Sequence, residues 1–279
     1  MPLSAGTRIA FTYPSGAQTL HANFHADETG FYFASNGMVF AFSPAGVRES
    51  SRDVTLTNHP GSQTVWGFTK TTDDRWATFT RDIGTGYIGT IRTFSLTGAA
   101  IHVARVPDVI TGVNQVATAF RAPKALAEVG GNFYLRVVRA VTGNMRLIKF
   151  DGNLQVQDDD LVVSGSSPSA LSDIASSGYQ NIFIIQQNER RAYAVRASNL
   201  QLVPALQTDL DAQNTAPWGA SADGGTLYVA DRGGFIYPYT GVPVEPAGTG
   251  TRPGYGIGLS IIQMFFTNEL LGREFERRF

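Results

Sequence analysis

The sequence predicts an all-β fold, a six-bladed β-propeller of four-stranded sheets, and three observations predict it. A unit of apolar strand, polar or glycine turn, second apolar strand and looser third strand returns six times along the 279 residues. Its spacing of about 40–60 residues, built from strands alone, is the period of one sheet per repeat. The composition supplies 18 Phe and 10 Tyr to fill pleated faces and 30 Gly to make tight turns.

The elements follow in order, each an apolar run of strand length bounded by Gly, Asn, Asp or Ser. Blade one covers residues 20–57, with strands at 22–26, 31–35, 38–43 and 47–56. Blade two covers 63–105, with strands at 65–69, 75–81, 87–95 and 100–105. Blade three runs over 116–163 and carries an insertion before its strand at 133–139. Blades four and five occupy 170–206 and 216–246. A sixth blade is read over 252–279, where Ile261–Asn268 and Arg273–Phe279 repeat the two middle strands of a blade. Its missing outer strand is expected from residues 8–13, which would close one domain, 1–279, by pairing the chain ends and removing an open edge. Five blades followed by a C-terminal helix over 268–279 is the alternative, because that segment is rich in helix formers.

The composition excludes several functions. A formal net charge of −1 gives no field for nucleic acid or acidic membranes. The absence of Cys removes disulfides, thiolate zinc sites and cysteine nucleophiles. The N-terminus lacks a basic flank followed by an apolar run, so no signal peptide is expected, and 257–266 is too short to span a bilayer. These leave a cytoplasmic or virion location open.

The segment Ala216-Pro-Trp-Gly-Ala-Ser-Ala-Asp-Gly-Gly-Thr-Leu-Tyr-Val-Ala-Asp231 resembles the repeat of NHL and YVTN-type propellers. That resemblance implies the six-bladed superfamily, whose members include binding modules, gluconolactonase-like hydrolases and peptidylglycine lyases. The lactonase branch holds a divalent metal in the channel with Glu, Asn and Asp from different blades. Only Asp223-Gly224 matches an element of that set, and it matches the repeat's own turn equally.

Candidate sites are weighed against plainer readings. His21 and His25 share one face of a strand but lie about 13 Å apart at about 3.3 Å per residue. They and His59 and His102 are read as surface or blade-edge histidines. Gly84-Thr-Gly-Tyr-Ile-Gly89 has dinucleotide-loop spacing but joins two strands, so it is a hairpin. Asp158–Asp160, Asp209 and Asp211 lack the glycine-bent loop and distal glutamate of a calcium site and read as solvated turns. Trp66-Gly67, Trp218-Gly219 and Tyr255-Gly256 occupy matching places at the start of the innermost strand in blades two, five and six. They either ring one channel mouth as a ligand platform, with Arg121, Asp231 and Arg232 as polar neighbours, or plug the gaps between blades.

With no catalytic constellation and no cofactor expected, the sequence points to a non-enzymatic binding or assembly module. Its partners would be other proteins, as in a phage or virion particle, or a small glycan. A metal-dependent hydrolase or lyase and a lectin are the alternatives.

Overall fold

The computed structural model describes residues 3–13, 23–60, 64–81, 87–107, 109–111, 117–139, 145–158, 171–176, 180–187 and 189–243. The sixth-blade segment 252–279, and Tyr255 with it, lies outside the described residues. The compact unit to which the described residues belong is Met1–Val244.

Two short strands come first, β1 (Ser4–Ala5) and β2 (Ile9–Ala10). Blade one is β3 (Phe24–Asp27), β4 (Gly30–Ser35), β5 (Met38–Phe42) and β6 (Val54–Thr55). Blade two is β7 (Val65–Lys70), β8 (Arg75–Thr80), β9 (Tyr87–Ser95) and β10 (Ala100–Pro107). Blade three is β11 (Val109–Thr111), β12 (Ala117–Val129), β13 (Asn132–Arg139), β14 (Met145–Phe150) and β15 (Val156–Asp158). Blade four is β16 (Leu171–Ser176), β17 (Asn181–Gln186), β18 (Arg191–Arg196) and β19 (Thr208–Asp209). Blade five is β20 (Pro217–Asp223), β21 (Thr226–Asp231) and β22 (Phe235–Thr240), completed at its outer edge by β1 and β2.

Among the described residues there are thus five blades, and the ring closes with five rather than six. The innermost strands neighbour one another in the cycle β3, β7, β12, β16, β20 and back to β3. Alternate side chains of each strand serve opposite faces, so every sheet packs on two neighbours. Phe31 and Phe33 face blade five across the seam with Ala230 and Ile236, while Tyr32 and Ala34 face Phe68, Trp76 and Phe94 of blade two. The seams between blades two and three, three and four, and four and five hold the other buried clusters. Because blade five already packs on blade one, the ring offers no place for another sheet. The N-terminal strands correspondingly pair with β22 of blade five, Ser4 opposite Thr240 and Ile9 opposite Ile236.

Two local readings are also corrected. The expected outer strand over 47–56 shrinks to Val54–Thr55, because a 3-10 turn over Ser50–Arg52 interrupts it after the Arg48–Phe42 bridge, and Asp53 supplies a side-chain acceptor in its place. Its Oδ1 accepts the Ala41 amide at 3.1 Å while Arg48 pairs with the same carboxylate. The expected insertion in blade three is instead the long inner strand β12, with register shifts between Arg121 and Lys124 and between Lys124 and Leu126.

Candidate functional site

The start of the innermost strands is a repeated bulge. In β7 the register shifts between Val65 and Gly67, in β20 between Pro217 and Gly219, and in β16 between Leu171 and Asp173. The extra residue is Trp66 in blade two and Trp218 in blade five. In blade three it is Ala125, whose φ of 66° lies in the left-handed region. Each indole packs in a seam, Trp66 against the cluster of blades two and three and Trp218 against that of blades five and one. Each is also covered by an arginine from the turn after the second strand. Arg81 Cζ lies 3.5 Å from the Trp66 ring centre and Arg232 Cζ 3.2 Å from that of Trp218.

Asp231 is buried and ties this turn to the start of the innermost strand, its Oδ2 accepting Ala216 N at 2.9 Å and its Oδ1 accepting Gly233 N at 2.5 Å. Arg121 lies on β12 opposite Val138. Asp209 pairs with Arg191 at 2.7 Å, and Asp211 Oδ1 accepts the amide of Gln213 at 2.7 Å. Asp159 and Asp160 lie outside the described residues.

The opposite ends of the innermost strands form a cavity of about 490 Å³, walled by β3, β7, β12, β16 and β20 and by the turns that follow them. Trp66, Trp218, Asp231 and Arg232 are not part of its lining. Its polar wall is His25, Asp27, Glu28, Lys70, Asp74, Glu128, Ser221 and Asp223. Lys70 is held between two carboxylates, 3.1 Å from Asp27 Oδ2 and 3.4 Å from Asp74 Oδ1. Asp27 also accepts the amide of Thr29 at 2.8 Å. Burial alone would raise the Asp27 carboxyl, but the Thr29 and Lys70 hydrogen bonds outweigh it and hold the group below the usual aspartate range.

Glu128 is buried and ties two blades together. Its Oε2 accepts Thr72 N at 2.9 Å, its Oε1 accepts Thr72 Oγ1 at 3.1 Å, and Gly131 N donates to it as well. Burial nonetheless pushes its carboxyl above the usual range, with Asp73 adding repulsion. Asp223 is raised too, first by burial and then by the charges of Asp27 and Glu28. No ion pair reaches Asp223 among the described residues. Five carboxylates therefore face one ammonium, and the cavity carries an excess of negative charge.

His25, which the sequence reads as a surface or blade-edge histidine, is half-buried where two blades meet. Its ring packs near Tyr32 and Trp76 at the seam of blades one and two, and burial lowers its imidazole to about 4. The amide of Lys70 donates to Nδ1 at 3.4 Å, which assigns the ring proton to Nε2. Ser221 Oγ lies 3.4 Å from the same Nδ1, whose lone pair already receives the amide. This is not the arrangement of a free base beside a nucleophile. His59 is likewise buried and lowered to about 4, first by burial and then by the charge of Arg92.

These shifts have a defined sign. Both histidines bind a proton less readily when folded, so their contribution to stability is present above the ordinary value of 6.5 and is lost as pH falls toward about 4. Asp27, depressed when folded, loses its contribution in the same direction at still lower pH. The melting temperature is expected to fall steadily between about pH 7 and about pH 4.5, with a shallower slope in His25→Gln. A flat profile, or an unaltered slope in the variant, would contradict this assignment.

Nothing in the sequence alone marks Asp27, Lys70, Glu128 or Ser221 as site residues, and Asp223 stands out there only in the Asp-Gly turn of its repeat. The available signal was positional, since blades one, two, three and five each carry a charged residue in the last two positions of the innermost strand. In a single repeat such a residue is indistinguishable from an ordinary turn charge.

No protein-family model and no curated protein matches the chain. Among solved structures it is similar to a Bacteroides caccae protein of unknown function, with a TM-score of 0.46 and 10% identity over 79% of this chain and 73% of that one. It is similar to a calcium-binding protein, regucalcin, from Agrobacterium tumefaciens, with a TM-score of 0.46 and 10% identity over 80% and 77% of the two chains. It is also similar to a catalytically inactive virginiamycin B lyase from Staphylococcus aureus, with a TM-score of 0.42 and 15% identity over 82% of each. These are likenesses of fold, and the chemistry of the cavity rests on its own side chains.

Proposed function

We propose that this propeller is a binding module that holds a small, polar, positively charged molecule in its axial cavity. The observation that carries the reading is the lining: all five blades contribute to one cavity in which Asp27, Glu28, Asp74, Glu128 and Asp223 oppose Lys70 alone. Two of those charges are already committed to Lys70. A half-buried carboxylate such as Asp223, repelled by Asp27 and Glu28, gains most from a cation that neutralises all three. Three of the carboxylates, Asp27, Glu128 and Asp223, are fixed in β-ladders, so little ordering cost is added there on binding.

The reading departs from the glycan expected at the tryptophan mouth, since each of the two indoles already carries an arginine on one face. It also departs from a metal-dependent hydrolase, since among the described residues no group of three or more His, Asp or Glu side chains is placed to hold a metal.

Thermal shift with spermidine, agmatine and glucose as probes tests it. A ligand at a hundredfold over its Kd stabilises by about 2.7 kcal/mol. The amines are expected to raise the melting temperature, glucose to leave it unchanged, and Asp223→Asn to abolish the amine effect. No response to either amine, an equal response in the variant, or a stoichiometric divalent metal retained through dialysis would overturn the proposal.

A further inference from the structure

The acidic cavity already holds one ammonium, that of Lys70, and the way it is held defines a seat. Lys70 is the last residue of β7, opposite Trp76, and its amide donates to His25 Nδ1 at 3.4 Å. The root of the side chain is therefore fixed between two blades. From there the aliphatic stem carries Nζ to Asp27 Oδ2 at 3.1 Å in blade one and to Asp74 Oδ1 at 3.4 Å in the turn after β7. The two carboxylates are unequal. The Asp74 side chain is 73% exposed and that of Asp27 only 13%, so the pair with Asp27 is the one that water screens least.

The Asp27 carboxylate does not depend on Lys70 for its place. Its Oδ1 accepts the Thr29 amide at 2.8 Å and the Thr29 hydroxyl at 2.5 Å, which leaves Oδ2 turned to the ammonium. Burial alone would lower the Lys70 ammonium, but the hydrogen bonds to Asp27 and Asp74 outweigh it and hold it above the usual lysine range. The same charge reaches a third carboxylate. Burial, Asp27 and Glu28 raise Asp223, and Lys70 opposes them.

We propose that Lys70 is a built-in occupant of the ligand's ammonium seat on Asp27, so that the site takes primary alkylamines and Lys70 sets their affinity by competing with them. The proposal rests on the cation-binding reading of the cavity, and adds which residue the cation displaces and which head group it carries. An ammonium with N–H donors on an alkyl stem is the group that the seat holds now. A quaternary ammonium has no donor for Oδ2. Exchange at Asp27 replaces one ammonium by another, so no charge is left unpaired there, and the released Nζ keeps Asp74 in its exposed turn as a partner. A tethered ammonium beside its seat competes at high effective concentration, and its removal opens the seat to a free amine.

Lys70→Ala with n-butylamine as the probe tests the seat, because the amine restores the deleted stem and head. The variant is expected to melt below the wild type and to recover most of that loss in saturating n-butylamine, with n-butanol and tetramethylammonium without effect. Lys70→Met keeps a stem without its charge, and it should bind spermidine and agmatine at least about tenfold more tightly than the wild type does. In the wild type, the side-chain nitrogen resonance of Lys70 should shift as either amine is added, a readout that needs no variant. Amines that bind the wild type but bind Lys70→Met no more tightly, or leave the Lys70 resonance in place, overturn this inference and spare the cation-binding reading. So does a Lys70→Ala protein that n-butylamine fails to stabilise, or that tetramethylammonium stabilises equally. Amines that act on the variants while the wild type shows no response uphold the seat and overturn the wild type as a cation-binding module. No amine response in any of these proteins overturns both.

Discussion

Deletion of residues 1–13 is expected to destroy the cooperative fold and leave an aggregating protein. β1 and β2 supply the outer edge of blade five, with further bonds from Gly6 N to Pro238 O at 2.8 Å and from Phe11 N to Gly234 O at 2.9 Å. Without them β22 becomes an unpaired edge of six residues. Two side chains of the segment are also core. Leu3 is buried in the seam of blades four and five, and its amide donates to Thr208 Oγ1 at 2.9 Å. Phe11 is buried in the seam of blades five and one, stacked on Phe33 at 4.8 Å and edge-on to Phe42 at 6.0 Å. Truncating a buried Leu costs about 2–5 kcal/mol and a buried Phe about 3–5 kcal/mol. Their joint loss consumes most of a typical stability of about 5–15 kcal/mol. The single variant Phe11→Ala is expected to remain folded, with stability reduced by about 3–4 kcal/mol. Retained solubility and an unchanged melting temperature in the deletion would show that the ring closes without its first strands.

The second large effect is expected from Gly67→Ala. A Cβ at this position would lie 2.7 Å from Leu126 N, 2.8 Å from Leu126 Cβ and 2.9 Å from Ala125 C. Backbone of the next blade cannot swing aside as a side-chain tip does, so blades two and three must part where their inner strands touch. Overpacking of this kind costs about 1–3 kcal/mol, and the rigid backbone contact places Gly67→Ala toward the upper end. At about 2–4 °C per kcal/mol for a domain of this size, the melting temperature should fall by roughly 5–10 °C. Gly224 is the control, because nothing stands within 4 Å of its added Cβ, although its φ of 52° carries a left-handed strain of its own. A Gly67→Ala protein as stable as the parent would show that the seam can open without cost.

The tryptophan–glycine pairs show how one pattern divides between the two levels. Their recurrence at the start of innermost strands was legible, because repeats keep special residues in register. The reason for the glycine was not, since the atom it avoids belongs to another repeat: Leu126 for Gly67, and Phe24 for Gly219. The arginines over the indoles were equally hidden. Arg81 and Arg232 follow their tryptophans by about one hairpin, a separation at which nothing in the chain announces contact.

The cavity was less legible than the frame around it. Asp27, Lys70, Glu128 and Asp223 lie far apart in sequence, and each resembles a solvated turn charge until five inner strands converge. His25 looked like a surface residue because a strand's alternation says which face a side chain takes but not what covers that face.

The sequence by itself determined the all-β class, the repeat, most strand positions in blades one, two, four and five, and the need for a strand from the N-terminus. These follow from local hydrophobic alternation and turn chemistry, which each repeat carries within itself. Tertiary structure alone decided the number of blades, the strand that the N-terminus joins, and the charge of the axial cavity. Ring closure is a property of how far each sheet rotates on its neighbour, set by seams such as Phe31 and Phe33 against Ala230 and Ile236. That rotation is shared between repeats and is written in none of them singly.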